Sequence, residues 1–285
     1  MTPTIYVTGL PRSGTTLVCH LLSSLPDVVA LHEPMKIQDM AGCTTAQVLD
    51  AIDAFARENR ESILTQAKAS SKQISGEVPD NPIAAEKADD GLRKQLNSLG
   101  EIIVGKTLPS DFTLAIKHNA FFAFFLASLA ATRSCFAIIR NPLAVLASWQ
   151  TVDLPVNRGQ LPAATQWDTG LAAILAGTPD VLDRQFIIMD WFFSRYAATL
   201  PAERIIRYED VIASGGRCLA HLVPSAAALQ GQLKSRNRSG LYDRAHFEKL
   251  GSRLLDGDGA YSAFYSRLEI ETLLKSELES NHAAQ

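Results

Sequence analysis

Gly9-Leu10-Pro11-Arg12-Ser13-Gly14-Thr15-Thr16 follows a short β-prone run, Ile5-Tyr6-Val7, and opens a stretch from Thr15 to Leu25 that reads as a helix. Two glycines separated by four residues, between a strand and a helix, have the spacing of a phosphate-binding loop. Glycine lets the backbone curl so that successive N–H groups converge on anionic oxygens, and the helix start at Thr15 adds its partial positive charge. The nucleoside-triphosphate version of this loop needs a lysine directly after the second glycine, to reach the β- and γ-phosphates, and then a hydroxyl for magnesium. Here that position is Thr15. The cation has moved into the loop as Arg12, whose planar fork suits an oxyanion better than a metal-bridged triphosphate.

Outward from the loop, apolar runs at Val28–Leu31, Ile102–Val104, Phe112–Ile116, Cys135–Ile139 and Arg204–Tyr208 read as strands. Helical periodicity covers Thr44–Ser71, Asn119–Ala131, Leu143–Trp149, Ala163–Ala176 and Pro179–Leu200. This alternation predicts an α/β fold: a parallel β-sheet flanked by helices on both faces, a three-layer sandwich like that of P-loop nucleotide-binding proteins, with ligands collecting at the carboxyl ends of the strands. Ser75–Gly91 holds prolines, glycines and mixed charges and is expected to be a flexible, exposed insertion. The final third reads as mainly helical, interrupted by a basic loop, Lys234–Arg244. Residues 1–285 are expected to form one domain.

Bulk properties narrow the function class. Hydrophobic residues make up 47% and charged residues 20%, an ordinary globular composition. A net charge of −3 supplies no field to recruit nucleic acid or anionic lipid, so an anion site has to be built locally. Cys19, Cys43, Cys135 and Cys218 show no metal-ligand spacing and are expected to be reduced. No metal site, no nucleic-acid partner and no transmembrane segment are expected, and a cytoplasmic location is the default; oligomeric state is open.

A second anion element is Ile138-Ile139-Arg140-Asn141-Pro142, an apolar strand closed by an arginine, with Ser148 about two helical turns further on. Together, Pro11-Arg12-Ser13-Gly14-Thr15-Thr16-Leu17 and Arg140-Asn141-Pro142 through Ser148 resemble the two cofactor signatures of the sulfotransferase family. The resemblance implies the donor 3'-phosphoadenosine 5'-phosphosulfate. It implies that Arg12, Ser13, Gly14, Thr15 and Thr16 cradle the 5'-phosphosulfate while Arg140 and Ser148 hold the 3'-phosphate. Tyr208-Glu209-Asp210 resembles a third family pattern and assigns Tyr208 to the adenosine. The basic loop, with Arg236, Arg238, Ser239 and Gly240, is the natural closure over the 3'-phosphate.

Sulfuryl transfer runs through a loose, in-line transition state, so the protein has to position the partners and stabilise spreading negative charge. The acceptor hydroxyl also loses a proton, which requires a general base. Leu31-His32-Glu33-Pro34 offers two neighbours just beyond the second strand, and alternation along a strand allows at most one of them to face the acceptor. Glu33 is the choice, since its place 21 residues after Arg12 resembles that of the catalytic glutamate in the tyrosylprotein and some bacterial branches. His32 and His118 remain rivals. The cytosolic branch places its histidine base after a lysine-threonine pair, whereas here Leu108 follows Lys106-Thr107. Lys117, with Lys106 as its competitor, is the candidate for stabilising the oxygen that leaves with the nucleotide. The acceptor is a small-molecule, carbohydrate or lipid hydroxyl, or less readily an amine; Phe55, Trp167, Trp191, Phe192 and Phe193 bias it toward an apolar body. Two other readings predict different behaviour: a P-loop small-molecule kinase would require magnesium ATP, and a catalytically silent module would bind nucleotide without turnover.

Overall fold

The computed structural model describes residues 3–280. In chain order the strands are β1 (Thr4–Gly9), β2 (Val28–His32), β3 (Lys68–Gln73), β4 (Ser98–Ile103), β5 (Thr113–Lys117), β6 (Ser134–Ile139) and β7 (Ile205–Arg207). The helices are α1 (Thr15–Ser23), α2 (Thr45–Gln66), α3 (Ala120–Phe124), α4 (Leu126–Ala130), α5 (Pro142–Trp149), α6 (Pro162–Thr165), α7 (Thr169–Gly177), α8 (Val181–Thr199), α9 (Tyr208–Ala213), α10 (Arg244–Asp256) and α11 (Arg267–Ser280). Among the described residues no helix is long and apolar enough to cross a membrane.

Five strands form the central parallel sheet in the order β2-β5-β1-β6-β7. Four of its strands are buried in consecutive runs, and even at the β2 edge every residue of Val28–His32 is buried. Such runs, with no polar alternation, belong to parallel strands covered on both faces. The order of the strands decides where the site sits. From β1 the chain crosses through α1 to β2 on one side, while from β5 it crosses through α3 and α4 to β6 on the other. Crossovers of one hand running in opposite directions put α1 on one face and α3 and α4 on the other. The paths leaving β1 and β6 therefore diverge, and the crevice opens at the carboxyl ends of those two neighbouring strands. Gly9 ends β1 and Arg140 follows β6, so both anion motifs meet there.

Four local expectations change. The long helix expected over Thr44–Ser71 stops at Gln66, because Ala67 adopts a left-handed conformation, φ 55°, and its N–H closes on the Ile63 carbonyl. Lys68–Gln73 is instead β3, which pairs antiparallel with β4 in a separate two-stranded ribbon. The run Ile102–Val104 thus belongs to that ribbon and not to the parallel sheet. The helix expected over Asn119–Ala131 breaks at Phe125, whose ring packs edge-on against Phe121 and Trp167. The stretch Ala163–Ala176 divides likewise, since Asp168 caps α7 by accepting from the Leu171 N–H at 2.9 Å.

Candidate active site

The loop after β1 is held by its carbonyls. Trp149 Nε1 donates to the Pro11 carbonyl at 2.8 Å and Arg140 Nη1 to the Arg12 carbonyl at 2.9 Å. The Ser13 hydroxyl donates to the Ile138 carbonyl at 2.8 Å and its N–H to the Leu10 carbonyl, so both donors of Ser13 are used in bracing the loop. With these oxygens tied to β6 and α5, no side chain caps the first turn of α1. Its leading N–H groups are left for an anion. Space requires both glycines, and conformation requires Gly14. A Cβ on Gly9 would stand 2.5 Å from the Ile138 carbonyl oxygen, and one on Gly14, at φ 92°, would stand 2.6 Å from the Tyr208 ring. Arg12 adopts φ 71°, a left-handed conformation that a non-glycine residue keeps only where its surroundings enforce it.

Arg140 and Ser148 converge with the loop. Arg12 Nε donates to Ser148 Oγ at 3.2 Å, and Arg12 Nη1 to Asn81 Oδ1 at 3.2 Å. Arg140 Nε donates to Asn237 Oδ1 at 2.7 Å, its Nη2 donates to the Arg236 carbonyl, and its guanidinium lies over the Tyr208 ring, 4.8 Å from the centroid. The Tyr208 hydroxyl accepts from the Arg236 N–H at 2.9 Å. Lys234–Arg244 is therefore folded over Arg140, and Arg238 and Ser239 line the same cavity. Burial, with Arg140 and Arg93 next in weight, pulls the Arg12 guanidinium down to about 9, so it is charged at neutral pH.

At the other end, β2 and β5 end side by side. His32 is in register with Lys117, and the Glu33 N–H donates to the Lys117 carbonyl at 2.7 Å. Glu33 sits beyond the strand at φ 43°, where alternation no longer applies, and both His32 and Glu33 line the cavity. The expectation that only one of them could face it is corrected by that turn. The Glu33 carboxylate is gripped from both sides: Lys117 Nζ is 2.8 Å from Oε1 and Lys72 Nζ is 2.6 Å from Oε2. Burial pushes this carboxyl up, but Lys117, His32 and Lys72 together hold it well below the usual carboxylate range. His118 accepts from the Met35 N–H at Nε2, at 3.2 Å, between the edges of Phe121 and Phe122. Burial presses it to about 3.

Lys106 lies elsewhere. Its ammonium donates to the carbonyls of Ser23, Leu25 and Val28, capping the end of α1 and the turn after it. Phe55, Trp167, Trp191, Phe192 and Phe193 pack in or against the core and do not line the cavity. The cavity, about 1190 Å³, runs from the loop and Arg140 to Glu33 and is walled near Glu33 by Met35, Ile37 and Phe121. Lys72, Asn81 and Arg93 escape a reading of the sequence. Lys72 stands in a run with helical composition, and Asn81 and Arg93 lie in irregular backbone, where no periodicity marks an inward side chain. Among the described residues no group of three or more His, Cys, Asp and Glu side chains comes together in a way that could hold a metal.

No curated protein matches the chain. Similar solved structures include a sulfotransferase from Mycobacterium tuberculosis H37Rv, 15% identical with 89% of this chain and 76% of that one covered and a TM-score of 0.39. Another is the sulfotransferase domain of the Synechococcus PCC 7002 olefin synthase, 11% identical, with 96% of this chain and 93% of that one covered and a TM-score of 0.37. Similarity at this level adds no weight to an assignment. The family model described as "Sulfotransferase family", however, matches residues 3–192, from the first strand through most of α8, and thereby takes in all of the parallel sheet except β7. The chain belongs to the sulfotransferase family.

Proposed function

We propose that the chain transfers a sulfuryl group from 3'-phosphoadenosine 5'-phosphosulfate to a hydroxyl, or less readily an amine, of a small-molecule, carbohydrate or lipid acceptor, within one domain spanning residues 1–285. The observation that carries this reading is the polarity of one cavity: the guanidinium groups of half-buried Arg12 and buried Arg140, without carboxylate partners, at one end, and a carboxylate paired with a buried lysine at the other. Arg12 and Arg140 bond among the described residues only to hydroxyl, amide and carbonyl oxygens, which leaves two charges for a polyanion to balance. The loop amides, Thr15 and Thr16 suit the phosphosulfate end; Arg140, Ser148, Arg238 and Ser239 suit the 3'-phosphate, and Tyr208 the adenosine.

When bound, the donor supplies the sulfuryl group and a bisphosphate leaving group. Glu33 is the general base: it accepts the acceptor proton as the new oxygen–sulfur bond forms and the bond to the leaving phosphate oxygen breaks. In a loose transition state that proton becomes acidic late, so a carboxylate weakened by two lysines still accepts it. Lys117, buried and 2.8 Å from Glu33 Oε1, is the group able to share its protons with the oxygen on which charge develops. Met35, Ile37 and Phe121 give the acceptor end an apolar wall.

Calorimetric titration with adenosine 3',5'-bisphosphate and, separately, with magnesium ATP tests the donor. Micromolar bisphosphate affinity that collapses in Arg140→Ala is expected. Binding of magnesium ATP in place of the bisphosphate would replace the reading with a kinase.

A further inference from the structure

Arg93 belongs to no motif, yet it is 7% exposed and lines the cavity. It reaches the site through a short parallel bridge to the segment after α5: its N–H donates to the Thr151 carbonyl at 3.0 Å, and its own carbonyl accepts from the Asp153 N–H at 3.0 Å. Its Nη2 donates to Thr151 Oγ1 at 2.7 Å, and Thr151 Oγ1 in turn donates to the Ser148 carbonyl at 2.9 Å. A continuous chain of bonds thus ties this guanidinium to the turn that carries Ser148. Its Nε is buried without a partner, and no carboxylate among the described residues forms an ion pair with it.

A buried guanidinium lacking both a counter-ion and a partner for one N–H is costly, and more so beside the charges of Arg12 and Arg236, which act on one another and on Arg93. The missing partner is an anion of high charge density. The bridge places Arg93 on the Ser148 side of the cavity, away from the Glu33, Lys117 and Lys72 cluster where the acceptor is activated. We infer that Arg93, delivered by the segment between β3 and β4, is a further binding residue for the terminal phosphate that Arg140 and Ser148 receive. This inference rests on the donor reading above. It assigns the segment a part in recognising the nucleotide, with Asn81, bonded to Arg12, beside it.

The test compares adenosine 3',5'-bisphosphate with adenosine 5'-monophosphate, which lacks the phosphate in question, on the full chain and on Arg93→Gln. The bisphosphate is expected to lose roughly 10- to 100-fold in affinity, as for a lost charge-assisted bond, and the monophosphate almost nothing. Equal losses for both ligands, or none for either, overturn the inference while leaving the donor reading intact. Failure of the unaltered chain to bind the bisphosphate overturns the donor reading and the inference with it. Should Arg93→Gln not fold, Arg93→Lys keeps the charge but not the fork to Thr151. A several-fold fall in the bisphosphate-to-monophosphate preference is then expected, and an unchanged preference overturns the inference.

Discussion

The carboxyl edge of the parallel sheet and the antiparallel ribbon β3–β4, with the irregular segment between its strands, serve one cavity but are built on different principles. At the sheet edge, backbone does most of the work: the Gly9–Thr16 loop is shaped by two glycines and by carbonyls pinned to β6 and α5. Toward their carboxyl ends β1, β2, β5 and β6 are continuously buried. The ribbon is half exposed, with Leu99 and Ile103 in solvent, and it contributes through single side chains: Lys72 from β3, and Asn81 and Arg93 from the segment between. Backbone-built sites leave a mark in local sequence because conformation restricts residue type. Side-chain-built sites leave none, because any lysine or arginine fits a loop.

The largest effect expected tests whether chemistry resides at the sheet edge. Glu33→Gln keeps an oxygen for Lys117 but cannot accept a proton, and should lower kcat by roughly 10²- to 10⁴-fold with bisphosphate affinity little changed. Rapid-quench turnover alongside calorimetry reads both, and retained turnover would move the base to His32 or His118. Next in size, Gly14→Ala pushes a methyl into Tyr208 at a left-handed φ and should cost about 2–4 kcal/mol of stability with loss of bisphosphate binding. A urea titration in which this variant matches the unaltered chain would show that the loop is less rigid than its bonds imply.

Lys106→Met sharpens the comparison from the structural side. Removing a charged donor from three carbonyls at the end of α1 should lower stability by about 1–3 kcal/mol and leave bisphosphate affinity alone. The smallest effect belongs to the ribbon. Lys72→Met removes one of the cations that depress Glu33, so the carboxyl should rise. A base works only when deprotonated, so activity falls as pH drops through its pKa. With both lysines present the acid limb of kcat/KM should lie below pH 4.5, the ordinary value from which Glu33 is depressed, and in the variant it should move upward. An unmoved limb would make Lys72 a surface neighbour and the ribbon a bystander to the chemistry.

Local pattern carried far in some places and failed in others. The strand-loop-helix unit at Ile5–Leu25 and the Arg140-to-Ser148 spacing were legible because each joins a strict local conformation to a fixed helical distance. The length of α2 was not, since Lys68–Gln73 has helix-compatible residues and becomes a strand only by pairing with β4, whose residues are about 30 positions away. The choice between Lys117 and Lys106 could not be made from sequence either. Both follow apolar runs, and only the register of β5 beside β2 brings one to Glu33 while the other caps α1.

By itself the sequence determined the strand-loop-helix unit around Gly9–Thr16, the five strands of the parallel sheet, and the placing of Arg140 after a strand with Ser148 in the helix that follows, because glycine spacing, apolar runs and helical periodicity act over a few residues. Tertiary structure alone decided that His32 and Glu33 both face the cavity, that Lys72 completes a lysine pair around one carboxylate, and that Arg93 reaches Thr151 beside Ser148. These are contacts between chain segments about 40 to 85 residues apart. Their energies depend on which surfaces the sheet order brings together, and no local pattern encodes that.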